Sequence, residues 1–189
     1  MNKPPPYSFV TKRLEIRACK QEDSVCLFNN YTSNISASEY LQRPPHVTLD
    51  QTEQFIEKWG DANWTDKNDK FAWSIFIKGN SDVIGLFLIH FHDLQVEIHY
   101  GLSPKHWSKG YVTEAGLTIL EWLRNETSIQ RAYTICDIEH KKSISILSKL
   151  GLQINDSLEY YLSLPNKDNR KRLAALYEIY FKRSKINKR

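Results

Sequence analysis

A lysine and a glycine adjoin in the run Trp107-Ser108-Lys109-Gly110-Tyr111-Val112-Thr113, between two stretches of different periodicity. Such a loop binds anions when it opens a helix. The first N–H groups of a helix have no internal acceptor, and the peptide dipoles leave partial positive charge at that end. Lys109 adds a full charge, so the loop reads as a phosphate cradle. It contains neither G-x-x-x-x-G-K-[ST] nor G-x-G-x-x-G, which excludes a P-loop and a dinucleotide fingerprint. Upstream, Glu97 and His99 fall on one face by period-two logic. A carboxylate there can act as a base or can simply pair with a lysine; an imidazole can relay a proton or pack. Ser143 offers a hydroxyl that can cap a helix. His90 and His92 form an H-x-H pair on one strand face. The sequence offers them no identifiable third ligand, so they read as strand residues and no metal is expected.

The elements that must position these groups follow from pattern. Residues 96–102 mix β-branched and aromatic types with alternation, so they are extended; Ser103-Pro104 stops them. Ala115, Ile119, Trp122 and Leu123 recur at steps of three and four, which predicts a helix after the loop. Residues 9–19 read as a first strand, and Gln21-Glu22-Asp23 opens a helical stretch. Residues 33–46 are irregular, broken by Pro44-Pro45. Asp50-Gln51-Thr52-Glu53 reads as the start of a helix carrying Phe55, Ile56 and Trp59. Strands are predicted over 71–78, 83–91 (apolar enough to be buried on both faces), 131–137, 152–164 and 173–181. A helix over 142–150 ends at Gly151. Residues 1–8 form an extended, proline-bearing lead-in and 183–189 a basic tail. At 189 residues the chain is expected to be one domain over 1–189.

Aromatic residues make up 12% of the chain, with five tryptophans, which argues against disorder. A net charge of +4 permits an acidic ligand. Three cysteines without metal spacing read as reduced thiols in the cytoplasm. No leader or long apolar run is read, so no membrane is expected. Only the basic tail points toward nucleic acid, and a solvated terminus explains it as well, so no nucleic-acid partner is expected.

The run 107–115 resembles the acyl-CoA loop of GNAT N-acetyltransferases in their RimJ/RimL-like branch, which reads W-G-K-G-Y-A-T-E-A. Three further segments resemble that family in the right order. Thr11-Lys12-Arg13-Leu14-Glu15-Ile16-Arg17 is similar to its opening T-x-R-L-x-L-R strand, and Val83-Ile84-Gly85 to its I-G turn. Asp137-Ile138-Glu139-His140-Lys141-Lys142-Ser143, with Lys149-Leu150-Gly151-Leu152, resembles D-x-x-N-x-x-S…K-L-G-F. Ser108 stands for a usual Gly and Val112 for a Gly or Ala, which puts side-chain bulk near the expected pyrophosphate path. His140 stands for an Asn that touches the pantetheine arm.

The resemblance implies an α/β (α+β) GNAT fold: a mixed twisted sheet of about seven strands, helices on both faces, and a splay between strands 4 and 5 where pantetheine inserts. It implies acetyl-CoA as co-substrate, held by Trp107, Ser108, Lys109, Gly110, Tyr111, Val112 and Thr113, by His140, and by the backbone of Tyr100, Gly101 and Leu102. Glu97 is the expected base, with Glu159 a weaker candidate. Ser143 is the expected acid, with Tyr160 or Tyr161 as alternatives. Tyr40, Arg43 and His99 are expected to contact the acceptor. That acceptor is a primary amine, a protein N-terminus as on a ribosomal protein or a small amine, attacked directly in a ternary complex by a monomer or homodimer. Two other readings stay open: a CoA-binding protein of this fold without transferase activity, and a ribosome- or RNA-associated module.

Overall fold

The protein is described by a computed structural model covering residues 4–65, 67–167 and 170–181. Residues 1–3 of the lead-in and the basic tail 183–189 lie outside the described residues. The strands are β1 (Ser8–Val10), β2 (Leu14–Ala18), β3 (Lys70–Ile77), β4 (Val83–His92), β5 (Gln95–Leu102), β6 (Arg131–Asp137), β7 (Gln153–Ser163) and β8 (Lys171–Tyr180). They form one eight-stranded sheet in the order β1-β2-β3-β4-β5-β6-β8-β7. Every neighbouring pair is antiparallel except β5 and β6. A parallel pair needs a crossover, and the helix α4, named below, supplies it.

Among the described residues the sheet has eight strands, one more than the expected seven or so, because residues 9–19 fold as a hairpin rather than one strand. Thr11 makes the turn: its Oγ1 accepts from the Leu14 N–H at 2.9 Å and its own N–H donates to the Leu14 carbonyl at 3.0 Å. A threonine side chain standing in for backbone has no Gly or Pro signal to announce it. The described part of the lead-in is tethered, because the Trp64 and Trp73 indoles donate to the Pro5 and Pro6 carbonyls at 2.8 and 3.0 Å.

The helices are α1 (Ser24–Leu27), α2 (Ile35–Ser38), α3 (Leu49–Trp59), α4 (Tyr111–Glu126) and α5 (Lys141–Lys149), with a π turn over Phe28–Thr32 after α1. The segment 33–46 is therefore less irregular than its prolines suggest; Asn34 caps α2 through the Ala37 N–H at 3.0 Å. Helix α3 begins at Leu49 rather than after Asp50. Thr48 is its cap, and Gln51 reaches back to complete a capping box.

Alternation sorts the strands between two apolar layers. Phe71, Trp73, Ile75, Phe87, Ile89 and Phe91 pack with α4 and α5, whereas Ala72, Phe76, Leu86 and Leu88 pack with Leu27, Tyr31 and Ile56 from the α1–α3 side. Helices thus cover both faces, and β4 is buried on both sides almost to its end. Helix α4 is held by its buried Ile119, Leu120 and Leu123, each worth about 1.5–3 kcal/mol.

The departure that matters lies between β5 and β6. They pair for three rungs, Gln95 with Arg131, Val96 with Ala132 and Glu97 with Tyr133, and then part. Residues 98–102 keep β4 on one edge and, among the described residues, have no strand on the other. On the α1–α3 face the opening is walled by Tyr31, 5% exposed, whose ring lies against Gly101. A Cβ at Gly101 would sit 2.0 Å from the Tyr31 hydroxyl oxygen. Gly101→Ala is therefore expected to destabilise the protein by about 1–3 kcal/mol, read by urea denaturation. Wild-type stability in that variant would mean that Tyr31 is free to leave the strand.

Candidate functional site

The loop at the mouth of the splay is built to leave donors free. The Trp107 indole donates to the Leu102 carbonyl at 2.9 Å, and the Lys142 ammonium lies 4.1 Å from the centre of its ring. Ser108 (φ 60°) and Gly110 (φ 78°) both take the left-handed conformation, which folds the chain back on itself. Gly110 has no side chain to cap α4, and the first described bond of the helix runs from the Glu114 N–H to the Gly110 carbonyl at 3.0 Å. The N–H groups of Tyr111, Val112 and Thr113 therefore have no helical acceptor. Lys109 is exposed beside them. Val112 is not bulk in an anion path: it is 6% exposed and packs in the core. Ser108 does depart, since a left-handed non-glycine costs roughly 1–2 kcal/mol.

What pins this loop was missed in the sequence. The Glu114 carboxylate accepts from the Thr11 hydroxyl at 2.6 Å, the Arg13 N–H at 2.9 Å and the Arg13 Nε at 2.6 Å. Arg13 also donates to the Lys109 carbonyl at 2.9 Å and stacks over the Tyr111 ring. Burial pushes the Glu114 carboxyl up, but the bonds from Thr11 and Arg13 outweigh it and hold the group below its ordinary range. The signal was present, since Thr11, Arg13 and Glu114 are all letters of the matching motifs; nothing local shows that they meet.

The two faces of β5 carry different chemistry. On the α4–α5 face the Tyr100 hydroxyl lies 2.9 Å from Ser143 Oγ, across the opening between β5 and β6. Burial pushes the Tyr100 phenol well above its ordinary pKa, against the bond to Ser143, so it keeps its proton. On the α1–α3 face Glu97 sits at the last rung, the vertex of the splay. Its Oε1 lies 3.2 Å from His99 Nε2 and its Oε2 3.8 Å from His92 Nε2. The bond to His99 holds the Glu97 carboxyl below its ordinary range, with burial opposing.

The remaining expected residues divide. His140 and Tyr40, expected on cofactor and acceptor, meet each other: their rings stack at 3.9 Å and 2°. Burial lowers the His140 pKa to about 4. Arg43 is half-buried near Tyr31, its Nη1 donating to the Pro44 carbonyl at 3.0 Å. Asn166, from the β7–β8 connection, donates to the carbonyls of Ser38 and Arg43, closing that wall. Tyr161 is exposed and bonds Glu159, so neither is brought to the splay; Tyr160 packs with Leu162, Leu164 and Ala174.

A family model described as an acetyltransferase (GNAT) domain matches residues 13–153, more than half of the chain. The chain belongs to the GNAT acetyltransferase family. Among its relatives is an uncharacterized N-acetyltransferase, p20, of Bacillus licheniformis, 27% identical over 154 residues, covering 80% of this chain and 85% of the relative. The fold is that of the Microcin C7 self immunity acetyltransferase MccE, solved with acetyl-CoA and AMP (TM-score 0.81, 17% identity, 94% and 98% of the two chains). It is also that of spermidine N-acetyltransferase from Vibrio cholerae, solved with CoA and spermine (TM-score 0.74, 16% identity, 90% and 97%). In this GNAT chain the donor set fits a pyrophosphate-bearing cofactor: an α4 terminus without a side-chain cap, an exposed lysine beside it, and a strand edge that is unpaired among the described residues and leads inward. Among the described residues no helix is long and apolar enough to cross a membrane.

Two outcomes follow. Glu114→Gln is expected to cost about 2 kcal/mol, since it weakens bonds to a charged group, and to lower affinity for CoA in calorimetry. Full affinity in that variant would mean that the loop holds its shape without the pin. His140 carries a pH dependence: unfolded, it takes up its proton near 6.5, and in the fold near 4. Between these values the unfolded state binds more protons, so stability falls as pH falls. His46, also held at about 4 by burial, adds to this. His140→Asn should flatten the decline of Tm from pH 6.5 to 4; an unchanged slope would place its source elsewhere.

Proposed function

We propose that this GNAT chain transfers an acetyl group from acetyl-CoA to a primary amine by direct attack in a ternary complex. The observation that carries this is the splay, with Glu97 at its vertex and the uncapped end of α4 at its mouth. Acetyl-CoA, when bound, supplies the acyl group as a thioester. The N–H groups of α4 and Lys109 hold its phosphates, with Trp107 and Tyr111 shaping the loop. The free edge of β5 receives its arm and offers a backbone N–H near Tyr100, Gly101 or Leu102 to the carbonyl oxygen.

Glu97 takes the proton that keeps an amine from attacking. Its lowered pKa keeps it ionised at neutral pH, and its 25% side-chain exposure lets water carry the proton to it. His99, exposed beside it, passes the proton outward. The departing thiolate is served from the other face by the Tyr100–Ser143 hydroxyl pair, in which the half-buried Tyr100 keeps its proton. None of the cysteines supplies a nucleophile: burial raises Cys19 to about 12 and Cys136 to about 11, and raises Cys26 as well. That supports direct transfer over an acyl-cysteine route.

The amine enters from the α1–α3 side, where Tyr31, Tyr40 and Arg43 form the wall. The motif letters favour the RimJ/RimL-like branch, and with it a protein N-terminus or a small amine as acceptor. Three free cysteines favour a reducing compartment such as the cytoplasm. The reading without transferase activity drew on Ser108, Val112 and His140, and Val112 turned into the core weakens it. The RNA reading rests on a tail outside the described residues.

The test is acetyl transfer from acetyl-CoA to a panel of primary amines, with thermal stability measured alongside. Acetyl-CoA at about 100 times its Kd should add about 2.7 kcal/mol. Glu97→Gln should lower kcat by about 10²–10⁴-fold while leaving acetyl-CoA affinity intact. No thermal shift would sink the cofactor assignment, and wild-type turnover in the variant would remove Glu97 as the base.

A further inference from the structure

One face of the β4–β5 hairpin carries an unusual concentration of metal-binding side chains. The register puts His90 directly opposite Glu97, with His92 two residues along the same face of β4 and His99 two residues along β5. Donor atoms of His90, His92 and Glu97 all lie within 4.8 Å of one another. The two imidazoles stand 3.9 Å apart, centre to centre. The third ligand that the H-x-H pair lacks in the sequence is thus supplied by the next strand.

We infer that this chain binds one borderline divalent metal ion, of the zinc class, at His90, His92 and Glu97, and that the bound ion withdraws Glu97 from proton transfer. The ligand set decides the class of ion. Two imidazoles disfavour calcium and magnesium, which take oxygen, and the absence of sulfur from the set disfavours copper(I). Two nitrogens and one carboxylate suit zinc, nickel or copper(II), with a fourth position left for water or His99.

The surroundings suit the role. A ligating histidine works best when a carboxylate holds its other ring nitrogen; Asp69 Oδ2 lies 3.2 Å from His90 Nε2. Zinc–ligand bonds of about 2.0–2.2 Å need donors closer than they stand here. The adjustment falls to His92, whose side chain is 43% exposed and sits at the end of β4, where a rotamer change meets little resistance. Glu97 Oε2 faces His92 and Oε1 faces His99, so the carboxylate reaches the ion without leaving its histidine partner.

The binding half of this inference needs no acetyl transfer. The regulatory half rests on the reading of Glu97 as the base. A carboxylate bound to a cation is a poor proton acceptor, so zinc loading is expected to inhibit.

The untagged, EDTA-treated full chain is titrated with zinc chloride by calorimetry, beside His92→Ala, His92→Gln and Asp69→Asn. One saturable site is expected in the wild type, lost in both His92 variants and weakened about tenfold in Asp69→Asn. Circular dichroism and Tm in EDTA confirm that each variant is folded. Absence of a saturable site in the wild type overturns the proposal, as does uptake unchanged in the His92 variants, which would place zinc elsewhere. In the transfer assay, zinc should inhibit the wild type, EDTA should reverse this, and His92→Ala should lose the sensitivity. Zinc bound at this site with full turnover would overturn the withdrawal of Glu97. Absence of transfer in any condition would instead count against the transferase reading and leave the calorimetry standing.

Discussion

The parting of β5 from β6 is the constraint that the rest of the structure serves. A sheet gains by pairing every edge, and an unpaired row of N–H and C=O groups inside one is costly unless something else meets it. Here pairing stops after Glu97–Tyr133 although both strands continue. Packing holds the gap open from both sides. On one face the Tyr31 ring fills the space that a side chain at 101 would take. On the other the Tyr100 hydroxyl reaches Ser143 at the start of α5. Both contacts are made by β5, and each holds that strand in place beside the gap.

The same division separates the chemistry. Because alternate residues of a strand face opposite ways, consecutive positions of β5 serve different compartments. Glu97, His99 and Gly101 face the α1–α3 side, and Tyr100 faces α5. A carboxyl and a phenol are thus placed on opposite sides of one strand, and their environments push the pKa values apart. The bond to His99 holds the Glu97 carboxyl low, and desolvation holds the Tyr100 phenol high. The loop before α4 is fixed independently of both, through Thr11 and Arg13 of the β1–β2 turn, which hold Glu114 of α4.

Legibility in the sequence followed locality. Strands β4 to β6 and helix α5 fall within about two residues of the bounds that their pattern predicts, because their periodicity is strong and their ends carry Pro, Gly or a change of period. The first hairpin was read as one strand because a threonine side chain makes its turn. The start of α3 lies earlier than its pattern suggests because Thr48 and Gln51, not Asp50 and Glu53, form the capping box. In the site, the loop residues were legible as a string, but the partner of Glu114 lies roughly a hundred positions away. Tyr100 was read for its backbone; its hydroxyl gains meaning only when Ser143 stands across the gap. The third ligand for His90 and His92 was closer to hand. Asp93, at φ 53°, makes a tight turn without glycine, and folding the hairpin there sets Glu97 opposite His90.

The departures from the family pattern can be weighed by where their side chains go. Val112 changes the core and leaves the helix N–H groups as they were. Ser108 adopts the backbone of the glycine it replaces, so its cost falls on folding while the direction of the loop is kept. His140 differs in kind. An asparagine there would offer two hydrogen-bonding groups to the opening, whereas the imidazole stacks on Tyr40, which itself lies under the Lys167 ammonium. The stack joins the segment after α2 to the start of α5 and to the β7–β8 connection. The substitution therefore gives up the hydrogen-bonding groups of an amide for a stack that ties these three segments together, and burial keeps that imidazole neutral at physiological pH.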